Sequence, residues 1–445
     1  MLLRIVVRAK KDRDAVRATL STFYKGWNAT IDVVTLKGER NTDRIRELLL
    51  NMSEERRLVI FLHARELKLP EDFKEELPLN VVVEKVDKRK IRNARIFEIY
   101  QAIERGKARF RLTALWMSTA RVYAFYRDRG SIEGIRIPLN PKPFFDLYHA
   151  IGEEHRKLLE QLIALKLGDN PLIIKMERGI HKVLQGDLCV ARLLIPDEGT
   201  VEVVDRRCSE VINVDLRREI AANEPLLRFL KKAAEELFKA VDEMHPEYDY
   251  DRVIVPWSGG KDSTAALLLA MEHFGRDLVV PVYVDTGCDL PGIREYIEMV
   301  SEKLGVSPHV EYAPIPEMLA LGNPWPTREN RWCTRLKIEA LYRAVGKLSD
   351  KPLIVVGDRD TESALRLRRA PIRSHNGFLQ VAPLKNWSSA FVQLYLLSEG
   401  IPLNPLYEIG FYRLGCIICP AFRSWELMLL SRLSERDNDP LGNLN

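Results

Sequence analysis

Three β-branched residues, Val253, Ile254 and Val255, run into the hexapeptide Ser258-Gly259-Gly260-Lys261-Asp262-Ser263, and helix-forming residues at 265–271 follow. A strand that feeds a helix through a glycine pair implies an open α/β layer domain with the turn at the carboxyl edge of its sheet. The two glycines, lacking Cβ atoms, let the backbone approach an anion, and Ser263 and Thr264 fall where helix amides point outward. Lys261 can add positive charge, and Asp262 is placed to hold Mg²⁺ on a pyrophosphate or to fix the loop. The pattern predicts a phosphate cradle, but not of the GxxxxGK[ST] kind, which the sequence lacks.

The 445 residues exceed one ordinary domain. With 46% hydrophobic and 29% charged residues, the chain can bury substantial cores and is not a disordered polymer. The net charge of +5 allows a polyanionic partner without demanding one. No apolar run reaches the roughly 20 residues needed to span a bilayer, and the opening segment is too short for a signal peptide, so a cytoplasmic protein without a membrane partner is expected. Six cysteines are too few for a disulfide scaffold, and in a reducing cytosol thiols more often serve as ligands or catalysts.

Three successive regions are expected. Residues 1–90 alternate strands at 2–9, 29–36, 57–64 and 80–86 with helical spacing at 12–24 and 41–52, which predicts a small α/β domain. That domain has no Gly-rich loop and reads as a scaffold or docking domain. Residues 91–235 are mixed, with helices at 91–110 and 156–168, the second ending at Gly168 as a C-cap, then short β runs punctuated by Gly186-Asp187 and 197–199. The Gly-Asp turn followed by strands resembles an RNA-binding PUA domain. Basic residues at 88–129, mixed with Phe110, Trp116, Tyr123, Phe125 and Tyr126, fit either a stacking surface or the core face of a helix. Residues 236–445, approached through an amphipathic helix at 224–245, hold the phosphate loop.

Further chemistry follows that loop. Asp285 and Thr286 end the next strand, Cys333 opens a helix with Arg335 and Lys337, and a strand ends in Gly357, Arg359, Glu362, Ser363 and Arg366. Cys416 and Cys419 form a CxxC, a spacing used by zinc, iron–sulfur and redox sites. Cys288, two residues past Thr286, is a candidate nucleophile or persulfide carrier if nearby cations lower its pKa. It could equally be a small buried turn residue.

The 258–263 turn resembles the signature of the PP-loop ATP pyrophosphatases. With Trp332, Cys333, Thr334 and Lys337, then Gly357, Arg359, Glu362 and Ser363, then Pro383, Leu384, Trp387, Val392 and Tyr395, residues 249–426 resemble the phosphoadenylylsulfate (PAPS) reductase family. The resemblance implies a doubly wound parallel sheet and an adenine nucleotide, ATP, held by Ser258, Gly259, Gly260, Lys261, Asp262 and Ser263 with Asp285, Thr286 and Gly357 nearby. Arg359 and Arg366 are candidates for neutralising its phosphates, and Lys261, Asp262, Arg359 and Cys288 for catalysis. In such enzymes ATP is cleaved between the α and β phosphates, and the adenylylated oxygen is displaced by a nucleophile.

Two departures matter. The family's reductases carry a tail cysteine, whereas no cysteine follows Cys419 in this sequence, and the complete Ser258–Ser263 pattern is the one expected where ATP itself is cleaved. Adenylylsulfate reductases of the family hold a four-iron cluster with a cysteine pair and a later CxxC. Trp332 replaces the first of that pair here, which leaves Cys333, Cys416 and Cys419 as ligands of an iron–sulfur cluster or zinc, with free thiols as a third reading. The expectation is an ATP-dependent sulfurtransferase, with RNA as acceptor and a separate sulfur donor. Alternatives are a sulfonucleotide reductase using Cys288 or a thioredoxin-like partner, and a non-catalytic nucleotide-binding protein.

Overall fold

The computed structural model describes residues 2–27, 30–53, 57–74, 77–113, 141–186 and 188–436. Trp116, Tyr123, Phe125, Tyr126 and Asp187, named above, lie outside the described residues. The chain divides into two compact units with interleaved segments. Met1–Leu147, Leu216–Tyr248 and Gly357–Phe391 make the first; Tyr148–Asp215, Asp249–Val356 and Val392–Asn445 make the second. Three consecutive blocks were expected. The difference arises because the amphipathic helix, which runs over Leu216–Met244, buries its apolar face in the first unit, where the ring of Phe229 meets Phe110 at 5.6 Å.

In the first unit, β1 (Leu3–Val7), β2 (Ile31–Thr35), β3 (Leu58–Ala64) and β4 (Val81–Val86) form a parallel sheet in the order β2-β1-β3-β4. Val6, Ile45, Leu49, Val59, Phe61 and Phe73 pack as one core between the sheet and its helices. The β-branched alternation that the sequence shows is the reason these strands form. An antiparallel hairpin, Ile372–His375 with Phe378–Val381, turns through Asn376 (φ 51°) and Gly377 (φ 83°), the two positive-φ positions of the turn type that suits the twist of paired strands.

In the second unit, β5 (Leu172–Lys175), β6 (Ile180–Gln185), β7 (Leu188–Leu194) and β8 (Glu202–Arg206) form an antiparallel meander. This is the β-rich module expected from the middle region. The helix before it spans Glu153–Ile163 and stops at left-handed Ala164 (φ 52°), short of the expected C-cap at Gly168. Gly168 has a different task, because a Cβ there would sit 1.9 Å from the carbonyl oxygen of Ile212. Gly168→Ala must push the chain at Ile212 away and is expected to cost about 3 kcal/mol, measurable as a lowered midpoint in denaturant unfolding.

The second unit also holds β9 (Arg252–Pro256), β10 (Val279–Asp285), β11 (His309–Tyr312) and β12 (Pro352–Val355), parallel and ordered β11-β10-β9-β12. The chain builds outward from β9 to β11, then returns to lay β12 on the other side of β9. Strand order therefore reverses at β9, and the crevice beyond the carboxyl end of such a strand is where open α/β sheets take ligands. The 258–263 turn stands there. Among the described residues no helix is long and apolar enough to cross a membrane.

Candidate functional site

The turn between β9 and the helix Lys261–Phe274 is fixed by its own side chains. Gly259 adopts φ 70°, a conformation nearly closed to residues with a Cβ, and an added Cβ would also press on Ile297 at 3.3 Å. Ser263 Oγ accepts from the Ser258 amide at 3.2 Å and donates to the Gly260 carbonyl at 3.0 Å. Behind the turn, the buried Trp257 indole donates to Thr264 Oγ1 at 2.9 Å, and that hydroxyl donates to the Gly260 carbonyl at 3.0 Å. These bonds hold the loop open, with a helix N-terminus behind it.

Lys261 is buried, with 4% of its side chain exposed, and its ammonium donates to Asp262 Oδ2 at 3.0 Å. Tyr407 and Tyr412 face that ammonium with ring centroids at 5.2 and 5.4 Å. The Lys261 amide donates to the Tyr407 hydroxyl at 3.0 Å, and Asn404 Nδ2 donates to the Gly259 carbonyl at 3.4 Å. Two rings and one carboxylate thus keep a cation oriented in a partly desolvated place, where its field acts more strongly than in water. Sequence reasoning missed Asn404, Tyr407 and Tyr412, which reach the loop from a distant segment with no local motif.

At the carboxyl end of β10, Asp285 accepts from the Gly287 amide at 3.0 Å and pairs with Arg294. Thr286 is buried; its hydroxyl donates to Asp289 Oδ1 at 2.8 Å and lies 3.2 Å from Cys416 Sγ. Asp289 also accepts from the Tyr283 hydroxyl at 2.6 Å. Asp289 is a fourth residue that the sequence did not single out.

Cys288, Cys333 and Cys416 pack in one cluster with Ile315, lined by Leu319, Leu336, Ile417 and Ile418. They come from the turn after β10, the first turn of the helix Trp332–Leu348 and the CxxC loop. The Cys288 segment is laced to that loop: the Ile417 amide donates to the Cys288 carbonyl at 2.8 Å, and Leu290 to Gly415 at 3.3 Å. Cys419 is partly exposed, and its amide donates to the Cys416 carbonyl at 3.0 Å. Half-buried Lys337 serves the cluster: burial pulls its ammonium down, but Cys416, Asp289 and Cys419 outweigh this and raise it above its ordinary value. All six cysteines are free thiols. Among the described residues no group of three or more His, Cys, Asp or Glu side chains is placed to hold a metal ion, so the expected set of Cys333, Cys416 and Cys419 is brought close without being assembled as ligands.

Two expected roles need correction. Cys288 is 2% exposed, and its thiol is pushed up to about 12, first by burial and then by Cys416 and Asp289. Burial and these neighbours act against the lowered thiol pKa that a nucleophilic role requires. Iodoacetamide at pH 8 on the metal-free chain is therefore expected to label exposed Cys208 well before Cys288, and peptide mass spectrometry reads the order. Arg359 is 1% exposed; it pairs with buried Asp146 at 2.8 Å and donates to Ser389 Oγ at 2.9 Å, Thr361 Oγ1 at 3.1 Å and the Trp387 carbonyl at 3.4 Å. A guanidinium so enclosed holds the first unit together and has no face left for a phosphate. Arg366 is more exposed and pairs with Asp358 at 3.1 Å and with Glu362. Gly357, Arg359 and Arg366 belong to the first unit, and the other candidates belong to the second.

Residues 252–422 match the phosphoadenosine phosphosulfate reductase domain. An uncharacterized protein of Methanocaldococcus jannaschii is 33% identical over 195 residues, covering 40% of this chain and 38% of that protein. The phosphoadenosine 5'-phosphosulfate reductase of Shewanella oneidensis is 26% identical over 157 residues, 34% of this chain and 64% of the relative. The matches thus span less than two thirds of either relative. Among solved structures, the phosphoadenylyl-sulfate reductase of Candida auris in its phosphate complex aligns over 47% of this chain and 98% of its own, at 18% identity and a TM-score of 0.34.

Proposed function

Residues 252–422 belong to the phosphoadenosine phosphosulfate reductase domain family, and from that premise we propose that the second unit binds ATP and cleaves it between the α and β phosphates, activating an acceptor for sulfur transfer. The observation that carries this reading is the complete 258–263 loop at the switch point of the sheet, with the Lys261 ammonium held by Asp262, Tyr407 and Tyr412.

The chemistry follows from charge. An acceptor oxygen attacks the α phosphorus, the bond to the β,γ-pyrophosphate breaks, and negative charge grows on the departing group. Lys261 and the backbone amides of the loop stabilise that charge where it develops. Asp262 would hold Mg²⁺, which adds positive charge to the pyrophosphate. The adenylylated oxygen then leaves as AMP when a sulfur nucleophile attacks the carbon that bears it. Cys333, Cys416 and Cys419 are the residues that would hold a zinc ion or an iron–sulfur cluster, a group that would supply soft Lewis-acid chemistry toward sulfur. RNA is the proposed acceptor, supported by the PUA-like outline of the β5–β8 module, and a separate protein is the proposed sulfur donor.

The test is pyrophosphate release from ATP and Mg²⁺ with total cellular tRNA added, followed by nucleoside analysis for sulfur. Release in excess of the protein, dependent on the RNA, is the expected result, and it also removes a purely nucleotide-sensing role. The Shewanella relative's name favours a second reading, reduction of a sulfonucleotide. With Cys288 buried, that reaction needs its thiol from a thioredoxin-like partner. Sulfite released from PAPS or adenylylsulfate, with no pyrophosphate from ATP, would establish it instead.

A further inference from the structure

We infer that Phe23, Phe97 and Tyr100 form a stacking platform on the first unit for a single-stranded segment of RNA, with Lys25, Arg95 and Arg368 as its phosphate contacts. The choice of RNA rests on the acceptor proposed above; the surface itself is read from the first unit.

The basic, aromatic-bearing segment that starts at Lys88 predicts either a stacking surface or a core face, and its helix supplies both. Phe110 is fully buried and belongs to the core. The first turns of the same helix, Ile96–Arg111, leave apolar side chains in solvent, with Phe97 52% exposed and Ile96 42%. Phe97 and Tyr100 stand three residues apart and so share a helix face, and Phe23, the last residue of the helix Lys10–Phe23, joins them. Phe23 stacks on Tyr100 with centroids 4.5 Å apart and the planes at 20°. Phe97 lies 6.2 Å from Phe23 and 6.1 Å from Tyr100. Tyr100 then meets buried Tyr24 at 5.7 Å, and Tyr24 meets buried Trp27 at 5.4 Å. The three outer rings are the surface end of a ladder whose inner end is locked in the core, so their orientation is set before a ligand arrives.

Charge decides the occupant. Each carboxylate of the two helices is already paired, Asp12 with Arg92, Asp14 with Arg13, Glu98 with Lys88 and Glu104 with Lys107. Lys25, Arg95 and Arg368 are exposed and enter no ion pair among the described residues. Lys25 follows Phe23 by two residues, and Arg95 directly precedes Ile96 and Phe97. Arg368 is held beside the ladder because its carbonyl accepts from the Trp27 indole at 3.2 Å. Rings bordered by uncompensated cations suit a polyanion whose bases offer free faces. A duplex keeps those faces in its own stack, so the fit is to a single strand. A second copy of this chain docked on the same face would set like charges against each other, which opposes self-pairing there.

The test is fluorescence anisotropy of a labelled single-stranded RNA twelve-mer of mixed sequence, and of its duplex, titrated with the full-length chain at several salt concentrations. The single strand is expected to bind at least tenfold more tightly than the duplex. Phe97→Ala should weaken single-strand binding about tenfold, which corresponds to ~1.4 kcal/mol, with its unfolding midpoint close to that of wild type because the ring is half exposed. Phe97→Trp should retain binding, since any aromatic face stacks. Arg368→Gln should lower the slope of log affinity against log salt by about 0.7, and Leu321→Ala, exposed on the second unit, should change neither quantity. Equal affinity for strand and duplex, equal affinity of wild type and Phe97→Ala, or no binding by wild type would each overturn the platform. A wild-type dimer in sedimentation that Phe97→Ala abolishes would overturn it as well, by giving the face to a second copy. The acceptor reading fails separately. Single-strand binding at the platform without RNA-dependent pyrophosphate release keeps the platform and removes the acceptor, whereas release at subsaturating RNA that Phe97→Ala leaves unchanged keeps the acceptor and removes the platform.

Discussion

Arg359→Ala is expected to destabilise the first unit by about 3–5 kcal/mol, the cost of stranding one partner of a buried ion pair. The partner is Asp146, fully buried, whose carboxylate takes Arg359 at 2.8 Å, the Ser389 amide at 2.9 Å and the Ser389 hydroxyl at 3.0 Å. Without the guanidinium that charge loses its ion-pair partner, with the field of Arg111 still acting on it, and the hydroxyls of Thr361 and Ser389 lose one of their two common partners, keeping Asp146. Arg359→Met combined with Asp146→Asn should recover part of the loss, since neither member is then left charged. Urea unfolding followed by probes in each unit should show the first unit's transition move to lower denaturant. ATP affinity of the folded fraction should stay within about twofold of wild type, because 1.4 kcal/mol is a factor of ten and no such term is assigned to Arg359. An affinity loss of tenfold or more, with stability intact, would return Arg359 to the phosphate-binding role that its motif suggests.

Lys261→Ala should act differently, with a modest effect on stability and a large one on turnover. The ammonium interacts with Asp262, Tyr407 and Tyr412. Cation–π contacts of this kind are worth about 0.5–1 kcal/mol each at exposed sites and more when desolvated, and Asp262 keeps partial access to water, with its side chain 20% exposed. A charged hydrogen bond to a phosphate oxygen contributes about 1.5–3 kcal/mol. Pyrophosphate release from ATP should therefore fall about 100-fold in kcat/KM, which corresponds to ~2.7 kcal/mol. Lys261→Arg should not restore it, because the guanidinium fork does not fit a space shaped by two rings around a compact ammonium. Unchanged pyrophosphate release in a well-folded Lys261→Ala chain would mean that the loop is not the phosphate cradle.

The contrast between these residues shows which parts of the structure were written locally. Strands expected at 2–9, 57–64 and 80–86 appear as Leu3–Val7, Leu58–Ala64 and Val81–Val86, because period-2 burial is a neighbour-to-neighbour property. The 258–263 loop was equally legible, since glycines and hydroxyls act within one turn. Arg359 was not: its meaning depends on Asp146, a partner far away in sequence. Tyr407, Tyr412 and Asn404 stayed hidden for the same reason, as did the meeting of Cys288 with Cys333 and Cys416. The division of the chain escaped because the face of the Leu216–Met244 helix shows that it buries something, without showing what. The Asn376-Gly377 hairpin is a different case, since that dipeptide is a strong local signal for a tight turn.

The central claim, that the second unit takes ATP, is tested most directly by competition binding on anaerobically purified full-length protein with Mg²⁺, comparing ATP with adenylylsulfate and PAPS. The account predicts that ATP binds at least tenfold more tightly than either, a difference of about 1.4 kcal/mol, and that Lys261→Ala removes the preference. A sulfonucleotide that binds more tightly than ATP would contradict it.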